Sequence, residues 1–110
     1  MAVTTSFVRE DAGKFNLTVA MTAQNDAQVF QPLRPLAMSI QATGAFTSAT
    51  IDIQASNDGV TYAALPTAVS LNALGIKSVA LADLGYKFYR VIQLAAAEAH
   101  SAYITWTEAQ

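Results

Sequence analysis

The residues of this chain that could do chemistry are few, and they stand apart. The one histidine, His100, lies two positions from Glu98, and a histidine with a single carboxylate makes neither a metal-ligand set nor a catalytic triad. His100 reads as a solvated loop residue. Asp52 falls on the polar side of an alternating run, and Asp58 stands in a turn, where Asp bonds its own backbone. Ser56-Asn57-Asp58-Gly59 supplies too few closely spaced oxygens for a calcium loop. Serines and threonines are many, but no base is placed to activate any of them. The glycines are isolated at turns and form no phosphate cradle at a helix start. Cysteine is absent, which removes disulfides and thiolate metal sites. Trp106, Tyr62, Tyr86, Tyr89 and Tyr103 could stack on a base or a sugar, but six scattered basic residues leave no footprint for nucleic acid. Core and inter-subunit packing is their expected role. The expectation is a non-enzymatic protein without cofactor, metal, small-molecule substrate or nucleic-acid partner.

The elements that carry these residues are strands. Phe46–Leu65 organises the rest: Ala49, Ile51, Ile53 and Ala55 alternate with Thr50, Asp52, Gln54 and Ser56, one face apolar and one polar. Asn57, Asp58 and Gly59 then form a structural turn, with Gly59 supplying positive φ, and Val60–Leu65 leads away until Pro66. Phe15, Leu17, Val19 and Met21 form a second alternating face, and Leu36, Met38, Ile40 and Ala42 a third. Thr22–Asp26 reads as a polar turn, and Pro32 and Pro35 bracket an extended connection. Ala68–Leu71 reads as a short strand, and Ile76–Leu81 as one with Val79 and Leu81 inward. Tyr86–Leu94 is apolar on both faces: Tyr89 and Val91 on one, Phe88, Ile92 and Leu94 on the other. Leu94–Ala99 is a loop, and Ala102, Ile104 and Trp106 mark the last strand. This spacing predicts an all-β protein, an antiparallel β-sandwich of jelly-roll or immunoglobulin-like type with about seven or eight short strands.

At 110 residues the chain is one domain, divided as residues 1–14, an N-terminal arm or edge strand, and 15–110, a single sandwich. Only 13% of residues are charged, about half the roughly 25% usual for soluble domains. A neutral surface on a small body suits self-association. The candidate interface comprises Val3, Phe7 and Val8 of the arm, docking on a neighbour's sheet edge, with Phe88, Ile92 and Leu94 of the two-faced strand. The start, MAVTTSFVRED, has no basic region followed by an apolar one, and no apolar run reaches the roughly 18 residues of a membrane span. The expectations are synthesis in a cytoplasm, no export by an N-terminal signal and no membrane partner.

The stretch GAFTSATIDIQASNDGVTYAALP resembles small structural proteins of tailed bacteriophages. Their pattern is a glycine, a short strand, Gln or Glu, S-N-D-G, an aromatic and a leucine, matched here by Gly44, Ala49–Ile53, Gln54, Ser56–Gly59, Tyr62 and Leu65. LADLGYKFYRVIQL is similar to their L-x-x-Y-x-Y-x-R-V strand, with Tyr89, Arg90 and Val91 in the matching places, and Ala102–Trp106 fits the final strand. Tyr62 departs from the tryptophan common there, and Leu94–Ala99 is richer in alanine than usual. The resemblance implies a virion protein, a head decoration (cement) protein that binds the major capsid protein and itself, as a trimer, on the outer head surface. A head-tail or tail component is the alternative within the virion, and a carbohydrate-binding adhesin module the alternative outside it.

Overall fold

A computed structural model describes the backbone at residues 3–11 and 13–108, and the side chains at 5–7 and 13–108. The described residues form nine strands: β1 (Val3–Asp11), β2 (Lys14–Met21), β3 (Ala27–Phe30), β4 (Pro35–Gly44), β5 (Thr50–Ser56), β6 (Ala63–Leu71), β7 (Gly75–Ser78), β8 (Phe88–Leu94) and β9 (His100–Glu108), with a 3-10 turn at Leu81–Asp83 before β8. The alternation of β2, β4, β5 and β9 makes each half-buried, so these strands can bury their apolar sides only against another sheet. They do so in two antiparallel sheets, ordered β1-β2-β9-β4-β7 and β3-β8-β5-β6. From β2 onward the chain crosses between the sheets in the double Greek-key order of a jelly roll. That order decides against the immunoglobulin-like alternative. β1 is a ninth strand laid on the outside of β2.

Between the sheets lies one apolar core. Leu17, Val19 and Met21 of β2, Met38, Ile40 and Ala42 of β4, and Ala102, Ile104 and Trp106 of β9 face Ile51 and Ile53 of β5, Val69 and Leu71 of β6, and Tyr89 and Val91 of β8. Each fully buried Ile, Val or Leu contributes roughly 1.5–3 kcal/mol relative to exposure. Stacked rings extend the core along one seam, Phe30 touching both Trp106 (centroids 5.4 Å apart) and Tyr89 (5.8 Å).

Several expectations are corrected by long-range pairing. Within the stretch read as an arm or edge strand, Val3–Asp11 forms β1, which pairs with β2 from Val3↔Met21 to Asp11↔Lys14. β3, which was not anticipated, pairs with β8 ahead of Pro32. The second arm of the central hairpin does not end at Pro66. β6 begins at Ala63 and runs through Pro66 to Leu71, because its register against β5 jumps from Gln54↔Ala64 to Ile53↔Val69. The residues bulged out between them are tied down by Asp83, whose carboxylate accepts the Thr67 N–H at 3.0 Å. A bulge between Pro35 and Ala37 turns Leu36 outward, 57% exposed, away from the face it was expected to share with Met38. β7 stops at Ser78; Val79 is buried, but Leu81 lies in the 3-10 turn and is exposed.

Candidate functional surfaces

The tip of the β5–β6 hairpin is built by its own side chains. The Ser56 hydroxyl donates to Asp58 Oδ1 (2.7 Å) and accepts the Gly59 N–H (2.9 Å). Asp58 Oδ1 accepts the N–H groups of Val60 and Thr61, both at 2.8 Å. These bonds, the Val60 and Thr61 amides first, hold the Asp58 carboxyl down to about 2. Gly59 has φ +77°, and a Cβ there would lie 3.2 Å from the Phe88 ring. Asn57 Oδ1 accepts the Lys87 N–H at 3.1 Å. Arg90 of β8 donates from Nε to Gln54 Oε1 at 2.8 Å, and its guanidinium lies 4.6 Å from the centre of the Tyr62 ring. The two sequence segments that carry the phage resemblance therefore pack together at one end of the four-stranded sheet.

His100 is not the solvated loop residue that its neighbours in sequence suggested. It opens β9, is 3% exposed and stacks on Phe46 with ring centres 3.9 Å apart. Gln93 spends its amide N–H groups on the Ala23 and Glu98 carbonyls, which turns its Oε1 to His100 Nδ1 at 2.6 Å. His100 Nε2 lies 3.0 Å from the Ala45 carbonyl oxygen and 3.5 Å from Glu98 Oε1. Glu98 in turn accepts the Thr47 hydroxyl and the N–H groups of Thr47, Ser48 and Ala49. The Thr47 hydroxyl, then the Ser48 amide, hold its carboxyl down to about 2. The cluster staples three loops together at one end of the sandwich. A histidine needing partners from residues 45, 93 and 98 gives no local sequence signal, so sequence reasoning missed it. Asp26 was missed likewise: it is fully buried and its Oδ2 accepts the Thr22 and Ala23 N–H groups.

The candidate interface residues do not come together. Phe88, Ile92 and Leu94 lie on the outside of the four-stranded sheet, but Ile92 is 5% exposed and already covered within its own chain. Phe7 points along the inter-sheet seam, stacked on Phe15 and Trp106 at 5.7 Å each and 56% exposed. The side chains of Val3 and Val8 fall outside the described residues. The five aromatics that could have stacked on a ligand are dispersed: Trp106 and Tyr89 are core residues, Tyr62 and Tyr86 are half-buried, and Tyr103 is exposed on the outer face of the five-stranded sheet. The Tyr89 hydroxyl donates to the Asp83 carbonyl at 2.7 Å, and burial pushes its ionisation up.

The outer face of the five-stranded sheet has a different character. The register places Thr18, Tyr103, Gln41 and Ile76 in one row across β2, β9, β4 and β7. The next row is Asn16, Thr105, Ser39 and Ser78, with Thr105 Oγ1 donating to Asn16 Oδ1 at 2.9 Å. Among the described residues the one charge on this face is Lys14, at its margin. The other sheet carries Asp52, Arg90 and Lys87 on its outside or at its end. The signal was present in the sequence as Ser, Thr, Asn and Gln filling the polar half of three alternating strands. Among the described residues no three His, Asp or Glu side chains converge on a point where a metal ion could sit.

No family model matches this sequence, and no curated protein matches it. Among solved structures it is similar to the cupin domain of Schizosaccharomyces pombe Cnp3, with a TM-score of 0.55 over 97% of this chain and 15% identity. The chain spans 60% of that chain's length. At that identity the likeness shows the fold alone, a β-sandwich of jelly-roll type.

Proposed function

We propose that this chain is a non-enzymatic structural protein of a tailed-bacteriophage virion, a head decoration protein that binds the major capsid protein on the outer head surface as an oligomer. The observation that carries the reading is the hairpin end. Gln54 and Ser56 of β5, Asn57–Gly59 and Tyr62 of the hairpin tip, and Tyr89-Arg90-Val91 of β8, the residues of the phage resemblance, are neighbours tied by the Arg90–Gln54 and Lys87–Asn57 hydrogen bonds. The jelly roll, an architecture shared by viral capsid, lectin and cupin domains, is compatible with it. A low-charge surface favours packing on a protein lattice. The mechanism is linkage: a protein that binds only the assembled shell stabilises it by mass action, and many copies on a symmetric shell add avidity. Purified chain mixed with expanded, undecorated heads should co-sediment and raise the temperature at which the shells disrupt. Cryo-electron microscopy of the virion should place it on the outer head surface. Its absence from the virion, or a position in the tail, overturns the reading.

A further inference from the structure

We propose that the outer face of the five-stranded sheet is a self-association face, on which a second copy of this chain packs about a twofold axis. The inference deepens the oligomer in the proposed function and rests on that reading for its setting. A solvated sheet face ordinarily carries long charged side chains, which keep it wet and resist stacking. Here the central positions are Thr18, Ser39, Gln41, Tyr103 and Thr105, with Ile76 two-thirds exposed on the edge strand β7. Hydroxyl side chains lose little rotamer freedom on burial and can exchange water for one another, whereas Lys, Arg or Glu would lose much of both. Short side chains around Tyr103, itself 41% exposed, let a facing sheet approach closely and meet one amphipathic ring.

The occupant follows from charge and area. A face with no charge at its centre meets an identical face without like-charge repulsion, while a strongly charged partner would find nothing to pair with. The sheet is five strands wide and β2 is eight residues long, so at about 4.8 Å and 3.3 Å per step its footprint is on the order of 600 Å². A stable interface removes about 800 Å² of accessible surface per partner, which the relief of a pleated surface reaches on such a footprint. One face that packs on its own copy does so about a twofold axis; a trimer would need two different patches.

The test is the mass in dilute buffer, with no capsid present, at tens of micromolar protein. The expected value is twice the 11.6 kDa of one chain. Gln41→Lys, which places a like charge on both facing surfaces, should halve that mass while the β-sheet circular dichroism of the folded chain is kept. Ala64→Lys, an exposed residue of the other sheet, should leave it doubled. If Gln41→Lys fails to fold, Thr18→Lys in the same row carries the same expectation. A single-chain mass for the unaltered protein, a mass of three chains, or a doubled mass that survives Gln41→Lys each overturns the inference. Single chains that lose capsid binding on Gln41→Lys would assign the face to the shell, which sinks the twofold pair and leaves the decoration reading standing.

Discussion

At Gly59 a φ of +77° and a Phe88 ring 3.2 Å from where a Cβ would stand act together. Gly59→Val adds a β-branched side chain to a left-handed backbone and presses it on that ring, so a loss of about 1–3 kcal/mol is expected. An unchanged thermal midpoint would show that the tip can relax. His100 poses the opposite case, a side chain that must be present. His100→Phe keeps the stack on Phe46 but removes the ring nitrogens that face the Gln93 and Ala45 oxygens. The cost of breaking up this polar cluster at the buried Gln93 is about 1–3 kcal/mol, read as a fall in the urea midpoint at unchanged slope. Glu98, held from 4.5 down to about 2, stabilises the fold fully above the higher value and loses that contribution as pH falls toward the lower. Asp58 behaves alike from 3.8 downward. The melting temperature should therefore be level at neutral pH and decline through this acid window. Glu98→Gln should flatten part of the decline; an identical profile would mean that the Thr47–Ala49 contacts do not differ between the folded and unfolded chain.

Among the elements, β1 is the one whose removal asks a clean question. The strands β2 to β9 complete a jelly roll without it, and its inward aromatic, Phe7, is less than half covered. A chain lacking residues 1–13 should keep its β-sheet circular dichroism and lose about 1–3 kcal/mol, from the Phe7 stack and the β1–β2 pairing. Loss of cooperative melting would mean that β1 is needed to close the seam beside β3, where Thr5 donates to Gln28 at 3.0 Å. Alternation made β2, β5 and the last strand readable, because period-two patterning is local. β3 was not readable. Four residues, Ala27–Phe30, carry too few alternations to stand out, and they are a strand because β8 offers them an edge.

For the whole molecule, topology sets the kinetics. Strands far apart in sequence pair directly, as in Lys14↔Thr107 and Pro35↔Glu108, and such closures must precede most of the burial that stabilises them. Refolding followed by Trp106 fluorescence should fall in the millisecond-to-second range typical of non-local β folds. A microsecond phase carrying the full amplitude would mean that local hairpins suffice to bury Trp106.

Local patterning was enough to show a β-sandwich, which sides of β2, β5 and β9 are buried, and where the central turn lies. Each of these depends on neighbours one or two residues apart. The tertiary structure alone decided the jelly-roll order, the burial of His100 and Asp26, the outward turn of Leu36 and the membership of β1 in its own sheet. Those outcomes depend on which distant backbone offers an edge and which distant oxygen offers a partner. A bulge of one residue reverses a strand's faces, and a polar side chain is buried only where the fold brings it hydrogen-bonding groups from elsewhere in the chain.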